Sequence, residues 1–209
     1  MLKTYKILSL LLSYPDAQLQ AFLRESESEL KAESLLPTER IEGINCFVNQ
    51  FVNKDLTDWQ AEYVQLFDYS RSASLHLFEH IKGDSKDRGQ AMVDMLEFYR
   101  ENGMELTTNE LPDYIPAFLE FLSTLPAEKA AGFLAEPVHI IQRVFLALKE
   151  KDNPYYHILA AVVSLSAKEP DIMATETVIK NEKPMDLDAE YDEEPIEFGS
   201  NNTCVNCKK

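Results

Sequence analysis

Ser85-Lys86-Asp87-Arg88-Gly89-Gln90-Ala91-Met92-Val93-Asp94-Met95-Leu96-Glu97-Phe98-Tyr99-Arg100-Glu101, followed by Asn102-Gly103, is the stretch that decides the fold class. Met92, Met95, Leu96 and Tyr99 stand at i, i+3, i+4 and i+7, which places them on one face of a helix. Asp84 or Ser85 is suited to cap its start, and Asn102-Gly103 is a C-terminal stop. The same periodicity continues on both sides of this segment. Strand-like alternation is hard to find, and 6 glycines in 209 residues leave little hairpin chemistry. The expected fold is all-α, a compact multi-helix bundle.

Working outward, a first helix is expected over Leu2 to Ser13. Asp16 is placed to cap a second, in which Leu19, Phe22, Leu23 and Leu30 recur at helical spacing. Pro37-Thr38 opens a third, with Ile41, Ile44, Val48, Phe51 and Val52 as its apolar stripe. Thr57 and Gln60 form a capping box for a fourth, where Trp59, Tyr63, Leu66 and Phe67 share a side. On the C-terminal side, Glu110-Leu111-Pro112-Asp113-Tyr114-Ile115-Pro116 leads into another helix. Pro126, Pro137 and Pro154 each sit where a first helical turn can begin. Tyr155 to Ser166 is the last helix, apolar enough to be buried. After Pro170 the character changes, and eight carboxylates crowd the span from Glu182 to Glu197. The domain reading is therefore a helical body over residues 1–169 and an acidic, disordered tail over residues 170–209.

Composition narrows the function. Hydrophobic residues make up 45% of the chain, enough for a core without disulfides or metals. The formal net charge is −16, which repels phosphate backbones and anionic membrane surfaces and favours a basic protein or peptide as partner. The apolar run Ile7-Leu8-Ser9-Leu10-Leu11-Leu12 is too short to cross a bilayer. No small-residue cleavage site follows it, so it is expected to be a buried helix rather than a leader. The three cysteines, Cys46, Cys204 and Cys207, do not form a disulfide framework, and the expected compartment is the cytoplasm.

Three motifs invite chemistry. His76-Leu77-Phe78-Glu79-His80 matches the H-x-x-E-H zinc-peptidase pattern, and on a helix its two histidines would share a face. No third ligand is identifiable nearby, and Gly83 ends the segment. The competing reading has one histidine packed on the core and the other hydrogen-bonded locally. Gly83-Asp84-Ser85-Lys86-Asp87-Arg88-Gly89-Gln90 lacks phosphate-loop spacing and reads either as a self-neutralising helix cap or as the polar rim of a binding groove. Cys204-Val205-Asn206-Cys207 supplies half a zinc site at most.

The run Tyr63-Val64-Gln65-Leu66-Phe67-Asp68, with Arg71, Ser74 to His80, Gly83-Asp84-Ser85 and Asp87 to Met92, resembles the NarJ-type nitrate reductase assembly chaperones. So do Glu110 to Pro116 and Tyr5 to Pro15, and the resemblance covers roughly residues 1–167. Within the wider TorD-like redox-enzyme chaperones, relatives carry His where this chain has Tyr114. The resemblance implies an all-α body of the TorD/NarJ-like type, no catalysis and no resident cofactor or metal. It implies a chaperone that binds the N-terminal segment of the apo catalytic (alpha) subunit of nitrate reductase while molybdenum cofactor is inserted and the complex assembles. A basic amphipathic segment would lie in an apolar groove with an acidic rim. The groove is expected around the loop before Leu75 and the Asp113-Tyr114 loop. Leu75, Phe78 and Tyr114 would give apolar contact, and Glu79 and Asp113 would meet basic residues. Arg71 and Arg88 would pair with those acids, Asp84 would belong to the polar rim, and His76 and His80 would add pH sensitivity. A generic helical scaffold and the zinc peptidase stand as alternatives.

Overall fold

The structure is a computed structural model that describes residues 1–81, 85–106 and 110–170. The acidic tail, Cys204, Cys207, Gly83 and Asp84 lie outside the described residues, and so do the readings made on them. Nine α-helices are found among the described residues: α1 (Lys3–Leu12), α2 (Ala17–Glu33), α3 (Thr38–Phe51), α4 (Leu56–Phe67), α5 (Ser85–Glu101), α6 (Ile115–Ser123), α7 (Ala127–Leu134), α8 (Val138–Glu150) and α9 (Tyr156–Ser164). Single turns of 3-10 helix occupy Arg71–Ala73 and Leu77–His80. The described residues contain no strand, only an isolated antiparallel bridge between His76 and Tyr114. None of these helices alone is long and apolar enough to cross a membrane.

The apolar run of α1 becomes the centre of the bundle, packed on α6, α2 and α9. Tyr5, Ile7, Leu8, Leu11 and Leu12 are all buried. Ser9 lies on the same face and is tolerated there because its hydroxyl donates to the Pro116 carbonyl at the start of α6, 2.7 Å away. In α6 every residue except Glu120 is buried, and Glu120 answers Lys6 at the rim with an ion pair. Gly43 lets α3 approach α9, since a Cβ there would sit 2.7 Å from His157 Nδ1. Phe47, Phe51, Trp59 and Tyr155 form an aromatic knot, with Trp59 Nε1 donating to the Tyr155 hydroxyl at 2.9 Å.

Two local expectations are corrected. Asp55, not a Thr57–Gln60 box, caps α4: its carboxylate accepts from the amides of Thr57 (2.9 Å) and Asp58 (3.2 Å). Gln60 instead reaches across to the Pro15 carbonyl at 2.8 Å. The stripe on α5 also sinks less deeply than its periodicity implies. Tyr99 is fully enclosed, but Leu96 is 39% exposed and its neighbour Val93 55% exposed. The end of α5 is as expected: Gly103 has φ +86°, Met104 N–H donates to Tyr99 and Gly103 N–H to Arg100, the two bonds of a Schellman stop. Asp16 caps α2 through the Leu19 amide at 2.7 Å.

Candidate functional site

Where α4 ends, the chain enters an irregular passage that folds against the segment before α6. Leu77 N–H donates to the Asp113 carbonyl at 3.0 Å, and Ile115 N–H donates to the Leu75 carbonyl at 2.8 Å. These two bonds clamp residues 75–77 antiparallel to residues 113–115. The Asp113 side chain completes the clamp. One carboxylate oxygen lies 3.2 Å from His76 Nδ1, and the other accepts from the Phe78 amide at 3.0 Å. The turn therefore exists because one buried carboxylate satisfies a ring nitrogen and an otherwise orphaned N–H.

Tyr114 extends the network inward. Its hydroxyl is 2.9 Å from that of Tyr63, which itself donates to the Leu12 carbonyl at 2.8 Å. With its own hydrogen committed, Tyr63 must accept from Tyr114. Burial pushes the Tyr114 phenol up to about 12, and burial raises Tyr63 further still, so both remain neutral donors. The His76 ring lies beside the Tyr114 ring, with centroids 5.3 Å apart.

The two histidines have opposite electrostatic characters. His76 is raised above its ordinary value, chiefly by its hydrogen bond to Asp113. His80 is lowered by burial, and its Nε2 meets the Ser74 carbonyl at 2.9 Å. A carbonyl can only accept, so Nε2 carries the proton. The residues of H-x-x-E-H do not lie on one α-helix: His76 is extended and Leu77–His80 is a 3-10 turn. Each ring is engaged by a different partner, and the described residues contain no group of three His, Cys, Asp or Glu able to hold a metal. This geometry gives the zinc-peptidase reading no support.

Several site residues take other roles than expected. Leu75 is 2% exposed and Asp113 fully enclosed, so neither presents surface; both brace the clamp from beneath. Arg71 is exposed on its turn and forms no ion pair with Glu79 or Asp113. Arg88 does pair with Glu79, at 3.6 Å, tying the first turns of α5 to the 77–80 turn. Phe78 and Tyr114 are half-buried. Beside them in sequence stand Ile81 and Leu111, 51% and 45% exposed, which sequence reasoning left out of the site. Exposed apolar residues bracketing a fixed turn and a carboxylate–guanidinium pair have the chemistry to take an apolar, cationic helix. Tyr63 was also missed. Its place on the inner stripe of α4 was readable, but its hydroxyl partner 51 residues away was not.

Comparison with known proteins agrees with this architecture. A family model described as nitrate reductase delta subunit matches residues 16–161. The nitrate reductase molybdenum cofactor assembly chaperone NarJ of Escherichia coli (strain K12) is 35% identical over 202 residues, 95% of this chain and 86% of that protein. The chaperone NarW of the same strain is 33% identical over 94% of this chain and 84% of that protein. A crystal structure of a redox enzyme maturation protein from Archaeoglobus fulgidus superposes with a TM-score of 0.50, covering 76% of this chain and 89% of that one. At 24% identity that likeness speaks to the fold alone.

Proposed function

This chain belongs to the nitrate reductase delta subunit family, and from that premise we propose that it grips an immature catalytic subunit through the clamp described above. Its role is that of a nitrate reductase molybdenum cofactor assembly chaperone, and it is not an enzyme. The finer reading is that its client is the N-terminal segment of the apo alpha subunit, a basic amphipathic helix, met in the cytoplasm. That segment lays its apolar stripe against Phe78, Ile81, Leu111 and Tyr114 and sets a cation near Glu79. Holding the segment keeps the apo subunit in an assembly-competent state until the molybdenum cofactor, its cargo, is inserted.

One observation carries this reading. The 75–81 passage is rigidly backed by Asp113 and Tyr63 yet leaves apolar edges and a carboxylate at the surface. A preformed surface of this kind loses little entropy on binding. The test is calorimetric titration of the first 20 residues of the alpha subunit into the full chain. Phe78→Ala with Glu79→Gln should weaken binding tenfold or more while the melting temperature barely moves. Unchanged affinity in a folded double variant dismisses the site. A generic helical scaffold would show no binding of this peptide by the unmutated chain.

A further inference from the structure

The outer face of α4 carries a second feature that neither the motifs nor the clamp account for. Trp59, Tyr63 and Phe67 point into the core, so residues at positions 57, 60, 61, 64 and 65 form the opposite stripe. That stripe floors an open groove of about 360 Å³. Ala61, Val64, Tyr14 and Tyr69 give it a mainly apolar lining, with Thr57, Gln60 and Gln65 as its polar members. The two tyrosines are 51% and 69% exposed, an unusual display of aromatic surface for side chains that a core could have taken.

The groove is built rather than incidental. Gln60 holds the α1–α2 turn through the Pro15 carbonyl at 2.8 Å, which fixes Tyr14 opposite α4. Tyr14 also stands edge-on to Tyr63, with ring centroids 5.6 Å apart. Tyr63 is the residue whose hydroxyl meets Tyr114. The groove wall and the clamp therefore share one aromatic side chain, with Tyr14 on one side of it and Tyr114 on the other.

Charge identifies the occupant. Asp58 and Glu62 flank the stripe, and Asp68 caps its C-terminal end; all three are exposed. Lys54 answers Glu62 alone. The C-terminal end of α4 adds the negative pole of a helix, which favours a cation there. Tyrosine faces attract cations as well. The lining of the groove is mainly apolar, so a fitting ligand presents one apolar side chain next to a positive one.

We propose that the Tyr14–Tyr69 groove is an anchor slot for the same cationic client segment, taking one apolar side chain between the two tyrosines while an adjacent Lys or Arg lies against Tyr69 and Asp68. The proposal rests on the client reading above and extends the contact surface from Phe78 and Tyr114 around Tyr63 onto α4. The segment then bridges two fixed sites on one surface, so anchoring at each raises the effective concentration at the other.

The experiment titrates the same 20-residue alpha-subunit peptide into full-length chains carrying Ala61→Arg or Tyr69→Ala, followed by calorimetry and by amide NMR. Both substituted side chains are exposed, so both variants should fold, with unchanged circular dichroism melts as the check. The expected result is a tenfold or greater loss of affinity in each variant, with amide shifts at Ala61, Val64 and Tyr69 when the peptide binds the unmutated chain. Normal affinity in both variants, with shifts confined to residues 76–81 and 111–114, overturns the slot and leaves the clamp reading standing. Shifts confined to Ala61, Val64 and Tyr69, with affinity lost in the slot variants and kept in the Phe78→Ala, Glu79→Gln double variant, uphold the slot and overturn the clamp as the contact. No binding to the unmutated chain overturns both.

Discussion

Asp113 concentrates the chemistry of the clamp in one side chain. It has no exposure, yet it satisfies His76 and the Phe78 amide together. Replacing it by Ala leaves the half-buried Phe78 N–H and His76 ring nitrogen without their shared partner, which costs about 1–3 kcal/mol. A lower denaturation midpoint with an unchanged m-value would register that loss. The same carboxylate sets a pH signature. His76 is raised by Asp113, so its contribution to stability is fully present below about 6.5 and is lost as pH rises through its folded value. His80 is lowered by burial, so its contribution is fully present above that range and is lost as pH falls through its folded value. Imidazole NMR should therefore show two separated titrations, His76 above the ordinary histidine midpoint and His80 below it. Asp113→Asn should bring His76 downward and leave His80 nearly in place. Coincident midpoints in the unmutated chain would contradict the hydrogen-bond assignments.

At the level of elements, α5 is the piece held most lightly. Among its described side chains only Tyr99 is fully enclosed, its hydroxyl donating to the Pro112 carbonyl at 2.6 Å. The Arg88–Glu79 pair ties its other end, but that pair is solvent-facing and contributes about 0–1 kcal/mol. Tyr99→Ala should cost about 3–5 kcal/mol. Its hydrogen-exchange signature should be local, with protection lost along α5 before α1 and α6 exchange. Uniform loss of protection across all helices would show that α5 is welded to the core after all. The same helix shows what sequence can and cannot reveal. Its periodicity and its Asn102-Gly103 stop were legible because both are local. The depth of its stripe was not, because the exposure of Leu96 depends on what packs opposite. The site divides the same way. Phe78, Glu79 and Tyr114 could be picked out as a cluster, but the enclosure of Leu75 and Asp113 follows from a bridge between segments 38 residues apart. The H-x-x-E-H alternative finds no support because its geometry holds only on an α-helix, and this segment is an extended residue followed by a 3-10 turn instead.

At the scale of the whole molecule, a net charge of −16 acts on encounter more than on grip. The clamp contributes Glu79 at the surface, and the α4 groove contributes Asp58, Glu62 and Asp68. These carboxylates add to a field that would attract the proposed cationic client from beyond contact range. Screening shortens that range from about 14 Å at 0.05 M salt to about 4 Å at 0.5 M. In the proposed complex the bound state is held mainly by apolar contact with Phe78, Tyr114 and the two groove tyrosines, which salt does not screen. Stopped-flow association of the alpha-subunit peptide should therefore slow about tenfold across that salt range, while the dissociation rate changes much less. Asp58→Asn with Glu62→Gln, two exposed acids beside the slot rather than in it, should flatten the salt dependence of association without removing binding. If salt instead acted mainly on dissociation, the flanking Asp58 and Glu62 would be direct and desolvated contacts as well, and the acidic field would owe its effect to grip rather than to steering.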